Sequence, residues 1–207
     1  LKAEVFNIPF IFDFKNKINS LKNKKINIYA KKLKLNILNE SSKNNNGTIN
    51  GINTLSTLKN SIKTKYQFEN NIVTFESNNS KIYNSKVKYN GKLSINPFDL
   101  DFNINLPDFK ISKIFNFNYI LTDLIKTGIM FNNNISINTS IAISTKAREE
   151  IFQIADINFD IFNGKINLNK TKFINKKIGK VVIGNSNLFL KNDKLTLNTD
   201  VIIDINN

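Results

Sequence analysis

The sequence predicts an all-β protein: a long, curved antiparallel meander sheet that forms an open hydrophobic groove, with one or two short helices. Apolar residues recur two positions apart along nearly the whole chain, as on a strand with one buried face. Polar turns separate these runs at intervals too short for parallel crossovers. Patterns of helical period are scarce. Together these observations favour consecutive strands that pair with their neighbours.

Composition indicates a folded chain. Of the 207 residues, 41% are hydrophobic, and the chain has 7 Gly and 3 Pro, which argues against wholesale disorder. All-β domains of this length often do not divide, so we expect residues 1–207 to form a single segment. Both ends run directly into strand-like patterns, and we expect the segment to belong to a longer protein.

In the first half, Ile26, Ile28 and Ala30 alternate with polar residues. The apolar phase then shifts by one toward Leu35 and Ile37, which predicts a β-bulge at Lys31 and Lys32 within one strand. A further alternating set follows at Ile62, Thr64, Tyr66 and Phe68, and another begins with Val87 and Tyr89.

The second half supplies the residues that we expect to line the apolar face. They share the buried phase of successive strands, with Asp99, Asp101 and Asn103 on the opposite, wet phase. A hairpin turn is predicted at Asn163 and Gly164. The candidate lining residues are Leu93, Ile95, Leu100, Phe102, Ile104, Leu106, Ile135, Ile137, Ile141, Ile143, Ile157, Phe159, Ile161, Ile166 and Leu168.

Two stretches carry weak helical patterns. Ser112 to Gly128 has an approximate apolar stripe and a terminal glycine, and we expect a helix that caps one end of the sheet. Thr145 to Gln153 is the weaker candidate.

The formal charge of +14 raises the question of nucleic-acid binding. Only Arg148 among the thirty basic residues is arginine, and the lysines are dispersed over turns and strand ends, as AT-rich coding would produce. We therefore expect a solvated basic surface and no nucleic-acid partner.

Side chains suited to catalysis are few. The chain has no His and no Cys, which excludes a Ser-His-Asp triad, a Cys-His pair and an ordinary zinc site. Asp99 with Asp101, and Asp156 with Asp160, each share a strand face and could serve a glycosidase or bind a cation. The simpler interpretation places them on the wet face of a strand. We expect no enzymatic activity, no cofactor and no metal.

Something must cover the apolar face of such a sheet. The sheet could fold onto itself as a ligand-free β-sandwich, close as an outer-membrane barrel, or hold lipid in an open groove. Barrels of that kind carry aromatic girdles, usually with Trp, whereas this chain has no Trp and five Tyr. The groove is the favoured alternative.

Three segments resemble AsmA-like proteins, the family of repeating β-groove, bridge-like lipid transfer proteins that includes TamB and YhdP. These segments are Lys86 to Leu106, with its Asn-Pro-Phe, Ile157 to Leu168, and Ile178 to Leu190. The similarity covers roughly residues 80–207, and its C-terminal part resembles the family as found in AT-rich marine alphaproteobacteria. It implies a periplasmic segment of a protein anchored in the inner membrane by a helix absent from this sequence. Its partners would be phospholipids or other envelope lipids, carried between the inner and outer membranes.

Overall fold

A computed structural model describes residues 1–5, 8–16, 23–83, 85–117, 125–192 and 194–206. Fifteen strands within these ranges, numbered β1 to β15 in chain order, form one sheet. Its order is β1 to β12, then β14 and β13, with β15 paired to β14. The predicted all-β meander is confirmed. By their internal contacts the residues divide into two compact units, Leu1–Lys92 and Leu93–Asn207, which are called the N-terminal and the C-terminal unit.

The N-terminal unit is a run of antiparallel hairpins in which each strand from β1 to β6 pairs with the next. Its last strand, β8, ends two residues into the C-terminal unit. The strands are β1 (Lys2–Val5), β2 (Ile8–Asn16), β3 (Asn23–Ala30), β4 (Leu35–Lys43), β5 (Ile49–Ser56), β6 (Asn60–Glu69), β7 (Ile72–Ile82) and β8 (Ser85–Ser94).

The bulge predicted at Lys31 and Lys32 is wrong, because the chain reverses direction there. A 3₁₀ turn covers Lys31–Leu33, and Lys34 takes a left-handed conformation with φ of 48°. Its N–H donates to the Lys31 carbonyl oxygen at 3.1 Å, and Ala30 pairs with Leu35 across the resulting hairpin. The apolar phase shift therefore marks the boundary between two strands.

The C-terminal unit contains the remaining strands. They are β9 (Phe98–Pro107), β10 (Ile135–Ser144), β11 (Ile154–Phe162), β12 (Lys165–Asn167), β13 (Lys172–Asn175), β14 (Gly179–Lys191) and β15 (Lys194–Ile205). The hairpin predicted at Asn163 and Gly164 is confirmed, since both residues have positive φ, 49° and 66°, as the tight two-residue turn requires.

One neighbouring pair departs from the expected antiparallel order. Strands β9 and β10 are parallel, with Phe98 opposite Ile135 and Leu106 opposite Ile143. Parallel strands need a crossover of about a dozen residues or more. Residues 108–134 supply it, so the expectation that the chain has no room for a parallel crossover is wrong here.

The predicted helix from Ser112 to Gly128 is described only in part. Ile111–Phe117 form a 3₁₀ helix, residues 118–124 lie outside the described part of the chain, and a further 3₁₀ turn covers Ile129–Phe131. Met130 in that turn is buried beside Ile161 and Ile166. The described ends of the segment are therefore short helical turns, one of which packs against the sheet.

The weaker helix, Thr145 to Gln153, is wrong: these residues form a loop between β10 and β11. The Thr145 N–H donates to the Gln153 carbonyl oxygen at 2.8 Å and closes the loop at its base. The buried Glu150 carboxylate accepts from the Ser112 N–H at 2.9 Å and from the Ser112 hydroxyl at 2.6 Å. Such side-chain hydrogen bonds compete with helical ones and hold the loop in place.

Candidate functional site

The candidate site of the C-terminal unit is an apolar sheet face. Residues directly opposite each other on paired strands share a face, and the register pairs Leu100 of β9 with Ile137 of β10, and Ile137 with Ile161 of β11. This confirms that the predicted sets on β9 and β10 share a face. The C-terminal apolar face comprises Leu100, Phe102, Ile104, Leu106, Ile135, Ile137, Ile141, Ile143, Ile157, Phe159, Ile161 and Ile166.

The two ends of this face are packed, whereas its centre is only half-buried. At one end Leu106 and Ile143 are buried opposite each other. At the other end Ile161 and Ile166 are buried with Met130, and Ile137 and Phe159 pack against that cluster. Between the ends, Phe102, Ile104, Ile141 and Ile157 are half-buried. The central residues are thus the ones best placed to contact a ligand.

The apolar face continues to the edge strand β15. Ile166 pairs with Leu188 of β14, and Leu188 pairs with Leu197 of β15, so all three lie on the face that also carries Ile161. Five apolar residues of β15 share it and are 51–67% exposed: Leu195, Leu197, Val201, Ile203 and Ile205. Thr199 interrupts the row, but several large apolar side chains exposed on one face of an edge strand are typical of interaction surfaces.

The strand pairings that define this face do not include the three other predicted lining residues. Leu93 is half-buried on β8, Ile95 is 55% exposed in the turn between β8 and β9, and Leu168 follows β12. Ile95 lies outside a strand because β8 ends at Ser94 and β9 begins at Phe98. The alternating phase was extended one position too far there.

The predicted carboxylates lie on the opposite, polar face of the same strands. Asp101 accepts from the Asn138 amide at 3.2 Å, and Asp156 forms a salt bridge with Lys172 at 2.9 Å. Burial raises the pKa of the Asp160 carboxyl above its ordinary value, and the nearby Lys170 opposes this shift. No group of three or more His, Cys, Asp or Glu suited to holding a metal ion occurs among the described residues.

The N-terminal unit has an apolar face of a different kind. Its register places Ile28, Ile37, Leu55 and Ile62 in one cross-strand row, and Ile49 opposite Phe68 in another. Polar residues occupy the rows between them on the same face. They are called the polar patch and comprise Asn39, Asn53, Thr64, Tyr66 and Tyr89.

Hydrogen bonds connect the polar patch across strands. The Asn39 amide donates to the Tyr66 hydroxyl at 3.0 Å, that hydroxyl donates back to the Asn39 carbonyl oxygen at 3.2 Å, and Thr64 and Tyr89 share a hydroxyl hydrogen bond. The Tyr66 ring lies over Gly51, where a Cβ atom would overlap it. A glycine at this position is what allows the ring to lie flat against the sheet.

An open cavity of about 1030 Å³ adjoins the polar patch within the N-terminal unit. Ser41 and Gly51 give it small side chains, Phe14 and Tyr66 give it aromatic rings, and the ionisable lining consists of three lysines and one glutamate. The complete lining is Phe14, Asn23, Lys24, Lys25, Glu40, Ser41, Ser42, Asn50, Gly51, Ile52, Lys65 and Tyr66.

Most of these N-terminal residues were not predicted from the sequence. Thr64 and Tyr66 were assigned to an alternating strand, but Asn39, Gly51 and Asn53 were not singled out. Their signal was available: Asn39 follows Ile37 by two positions, and Asn53 precedes Leu55 by two, so both occupy the apolar phase of their strands.

Comparisons of the chain with family models, with curated proteins and with solved structures found no match. Within the described ranges, no helix is long and apolar enough to cross a membrane.

Proposed function

We propose that this chain is a non-enzymatic lipid-binding segment that holds phospholipid acyl chains on the apolar face of its sheet. The observation that carries the proposal is the register, which aligns one apolar row after another from β9 to β15 on a single face. Acyl chains would lie along the central residues Phe102, Ile104, Ile141 and Ile157. No bond is made or broken.

The burial pattern supports a ligand-binding surface over a packed core. In a close-packed interior, large aliphatic side chains are almost fully buried, as Ile161 and Ile166 are here, with 1% and 2% exposed. The centre of the same face is only half-buried, and the β15 row is more than half exposed. Covering apolar surface yields roughly 25 cal/mol per Å², so an acyl chain would gain free energy along this whole face.

The larger role extends this proposal. We propose that the segment is part of a conduit that moves lipid between the inner and outer membranes and so serves outer-membrane biogenesis or homeostasis. The support is the resemblance of three segments to AsmA-like proteins. Each added strand lengthens a sheet by roughly 4.8 Å, so a path between two membranes needs many strands of one face, as found from β9 to β15.

A matched pair of substitutions tests lipid binding. Ile104→Asp places a carboxylate on the centre of the apolar face, where an unpaired charge against hydrocarbon costs several kcal/mol. Asn105→Asp adds the same charge one position along, on the exposed polar face. Lipids extracted from purified, folded protein and quantified by mass spectrometry should fall at least about tenfold for Ile104→Asp, which corresponds to about 1.4 kcal/mol. Asn105→Asp should match the parent.

The result separates the alternatives sharply. Lipid retained at the parent level by folded Ile104→Asp protein would show that this face does not hold acyl chains. If Ile104→Asp unfolds while Asn105→Asp folds, the face is a packed core and the ligand-free β-sandwich replaces the lipid groove. Circular dichroism and thermal unfolding of both variants provide the check on folding.

A further inference from the structure

The C-terminal unit ends at a long, exposed edge strand. Within the described ranges β15 pairs only with β14, so every second residue of β15 directs its backbone N–H and C=O away from the sheet. The bulge between Ile183 and Ser186 places its extra residue on β14, and β15 runs without interruption. Short length, proline and lysine are common protections of an edge against pairing. β15 has twelve residues, no proline and one lysine, at its first position, so its edge is open to another strand.

The sequence of β15 complements itself in the antiparallel direction. Directly opposite residues share a face, so two copies keep their apolar rows on one face only if a two-fold axis passes through a residue. With the axis at Thr199, Lys194 of each copy lies opposite Asp204 of the other, and Thr199 lies opposite its own equivalent. The other pairs on the apolar face join aliphatic side chains, Leu195 with Ile203 and Leu197 with Val201.

Neighbouring registers lack this match of charges. An axis at Asp200 places two aspartates directly opposite each other, which is unfavourable. An axis at Asn198 or at Val201 leaves Lys194 opposite no carboxylate of β15. The axis at Thr199 also brings all of β15 except Ile205 into the contact. The charges of the strand therefore select one register.

Charges within the sheet also favour a second copy. Lys194 lies opposite Lys191 of β14, a like-charge pair that an added carboxylate would offset. Asp204 forms a salt bridge with Lys180 at 3.1 Å, yet 62% of its side chain is exposed. A carboxylate this exposed can pair with a second cation from across the free edge. Charge complementarity thus points to β15 of another copy as the occupant.

We propose that β15 forms a symmetric dimer by pairing antiparallel with β15 of a second copy about an axis at Thr199. Backbone hydrogen bonds join the two strands, and the contact between Lys194 and Asp204 occurs twice, once on each side of the axis. The apolar row of one β15 then lies beside the apolar row of the other, on the same face. The dimer goes beyond the proposed lipid binding and does not depend on it.

Sedimentation equilibrium of the full chain over a range of concentrations tests the dimer. The parent should approach twice the mass of one chain as concentration rises and go no further. Lys194→Glu places a carboxylate opposite Asp204 on both sides of the axis and should weaken the dimer on the order of tenfold, which corresponds to about 1.4 kcal/mol. The control Lys146→Glu makes the same charge change in the loop between β10 and β11 and should leave the dimer unchanged.

A mixture of two variants tests the register itself. Asp204→Lys places a lysine opposite Lys194 and should weaken the dimer as Lys194→Glu does. In a mixed dimer of the two variants, the introduced glutamate lies opposite the introduced lysine, and the native Asp204 lies opposite the native Lys194. The mixed dimer should therefore form as readily as the parent dimer. Native mass spectrometry with one variant labelled with ¹⁵N counts the mixed species.

Thermal unfolding checks that each variant folds, since Asp204→Lys also removes the salt bridge with Lys180. If Asp204→Lys does not fold, Thr199→Lys replaces it, because two lysines then meet on the axis and should also weaken the dimer at least about tenfold.

Four results would overturn the dimer. They are a parent that stays monomeric at its highest soluble concentration, assembly beyond a dimer, a loss with Lys194→Glu no greater than with Lys146→Glu, and folded variants whose mixture dimerises no better than either alone. If Thr199→Lys is used, a dimer as tight as the parent's would overturn it as well.

Discussion

The two units use the same strand alternation but differ in where they place polar side chains. In the C-terminal unit the apolar phase of β9 to β11 is almost entirely aliphatic or aromatic, with Thr139 as the polar exception. In the N-terminal unit the same phase of β4 to β6 carries Asn39, Ser41, Asn53 and Thr64. One face is therefore almost continuous hydrocarbon, whereas polar side chains interrupt the hydrocarbon of the other.

They also differ in how the face is held. The C-terminal face is anchored at its ends by buried residues such as Ile143 and Ile161, and Met130 from the crossover packs over one end. In the N-terminal unit, hydrogen bonds between Asn39 and Tyr66 and between Thr64 and Tyr89 cross the strands within the face itself. Because packing is confined to its ends, the C-terminal face keeps the side chains at its middle accessible. In the N-terminal face, hydrogen bonds hold the side chains at the middle in place.

The largest expected change in the free energy of unfolding comes from a substitution in the packed part of the C-terminal face, compared with one in its half-buried centre. Ile161→Ala leaves a cavity in the Met130 cluster and should lower the free energy of unfolding by about 3 kcal/mol. Ile141→Ala removes a half-buried side chain from the centre and should cost about 1 kcal/mol in lipid-free protein. Urea denaturation measures both. Equal costs would show that the face is packed throughout, and the contrast between the units would then fail.

The alternation of apolar and polar residues predicted which side chains share a sheet face, because it depends only on residues close together in the sequence. Leu100, Phe102, Ile137 and Ile141 were assigned to one side from their spacing alone, and pairing between strands preserves that side. The hairpin at Asn163 and Gly164 was equally accessible, since its turn type depends on those two residues.

Other features depend on partners that are distant in sequence. The parallel pairing of β9 with β10 requires knowing where the crossover at 108–134 returns, which no local pattern states. The reversal at Lys34 uses a left-handed residue that is neither Gly nor Asn, so it lacked the usual signal. Asn39 and Asn53 become a patch only when β4, β5 and β6 are placed side by side.

The next largest loss of stability is expected from alanine substitutions at two glycines, one in each unit. Gly179 has φ of 143°, and a Cβ atom there would overlap the backbone of Asp204 on β15. Gly179→Ala should therefore loosen the pairing of β14 with β15 by about 2 kcal/mol. At Gly51 the three atoms nearest to an added Cβ all belong to the Tyr66 side chain, which can rotate away. Gly51→Ala should therefore cost about 1 kcal/mol through the lost Asn39 hydrogen bond.

Hydrogen exchange read by mass spectrometry separates the two glycine effects. Faster exchange should be confined to residues 194–205 for Gly179→Ala and to residues 36–68 for Gly51→Ala. A larger effect at Gly51 than at Gly179 would show that the Tyr66 ring is fixed as rigidly as backbone, and the polar patch would then be a structural network.

The smallest expected change in stability comes from substituting carboxyl groups on the polar faces of the two units. Burial raises the pKa of the Asp160 carboxyl in the C-terminal unit above its ordinary value, and the nearby Lys170 opposes this shift. In the N-terminal unit the exposed Glu40 pairs with Lys25 at 2.8 Å, an arrangement worth about 0 to 1 kcal/mol. A carboxyl whose folded pKa is raised loses its proton first in the unfolded chain, so its contribution to stability falls as pH rises from the unfolded value through the folded one.

Asp160→Asn removes that penalty and should raise Tm at pH 7, with a smaller gain at pH 4, where the parent carboxyl is partly protonated in both states. Glu40→Gln should leave Tm at pH 7 unchanged or slightly lower, because it removes a favourable charge pair and relieves no burial. Thermal unfolding at both pH values checks this. A Tm gain for Asp160→Asn that is equal at pH 4 and pH 7 would attribute the effect to amide packing, and the absence of any gain would show that water reaches the Asp160 carboxylate as freely as it reaches Glu40.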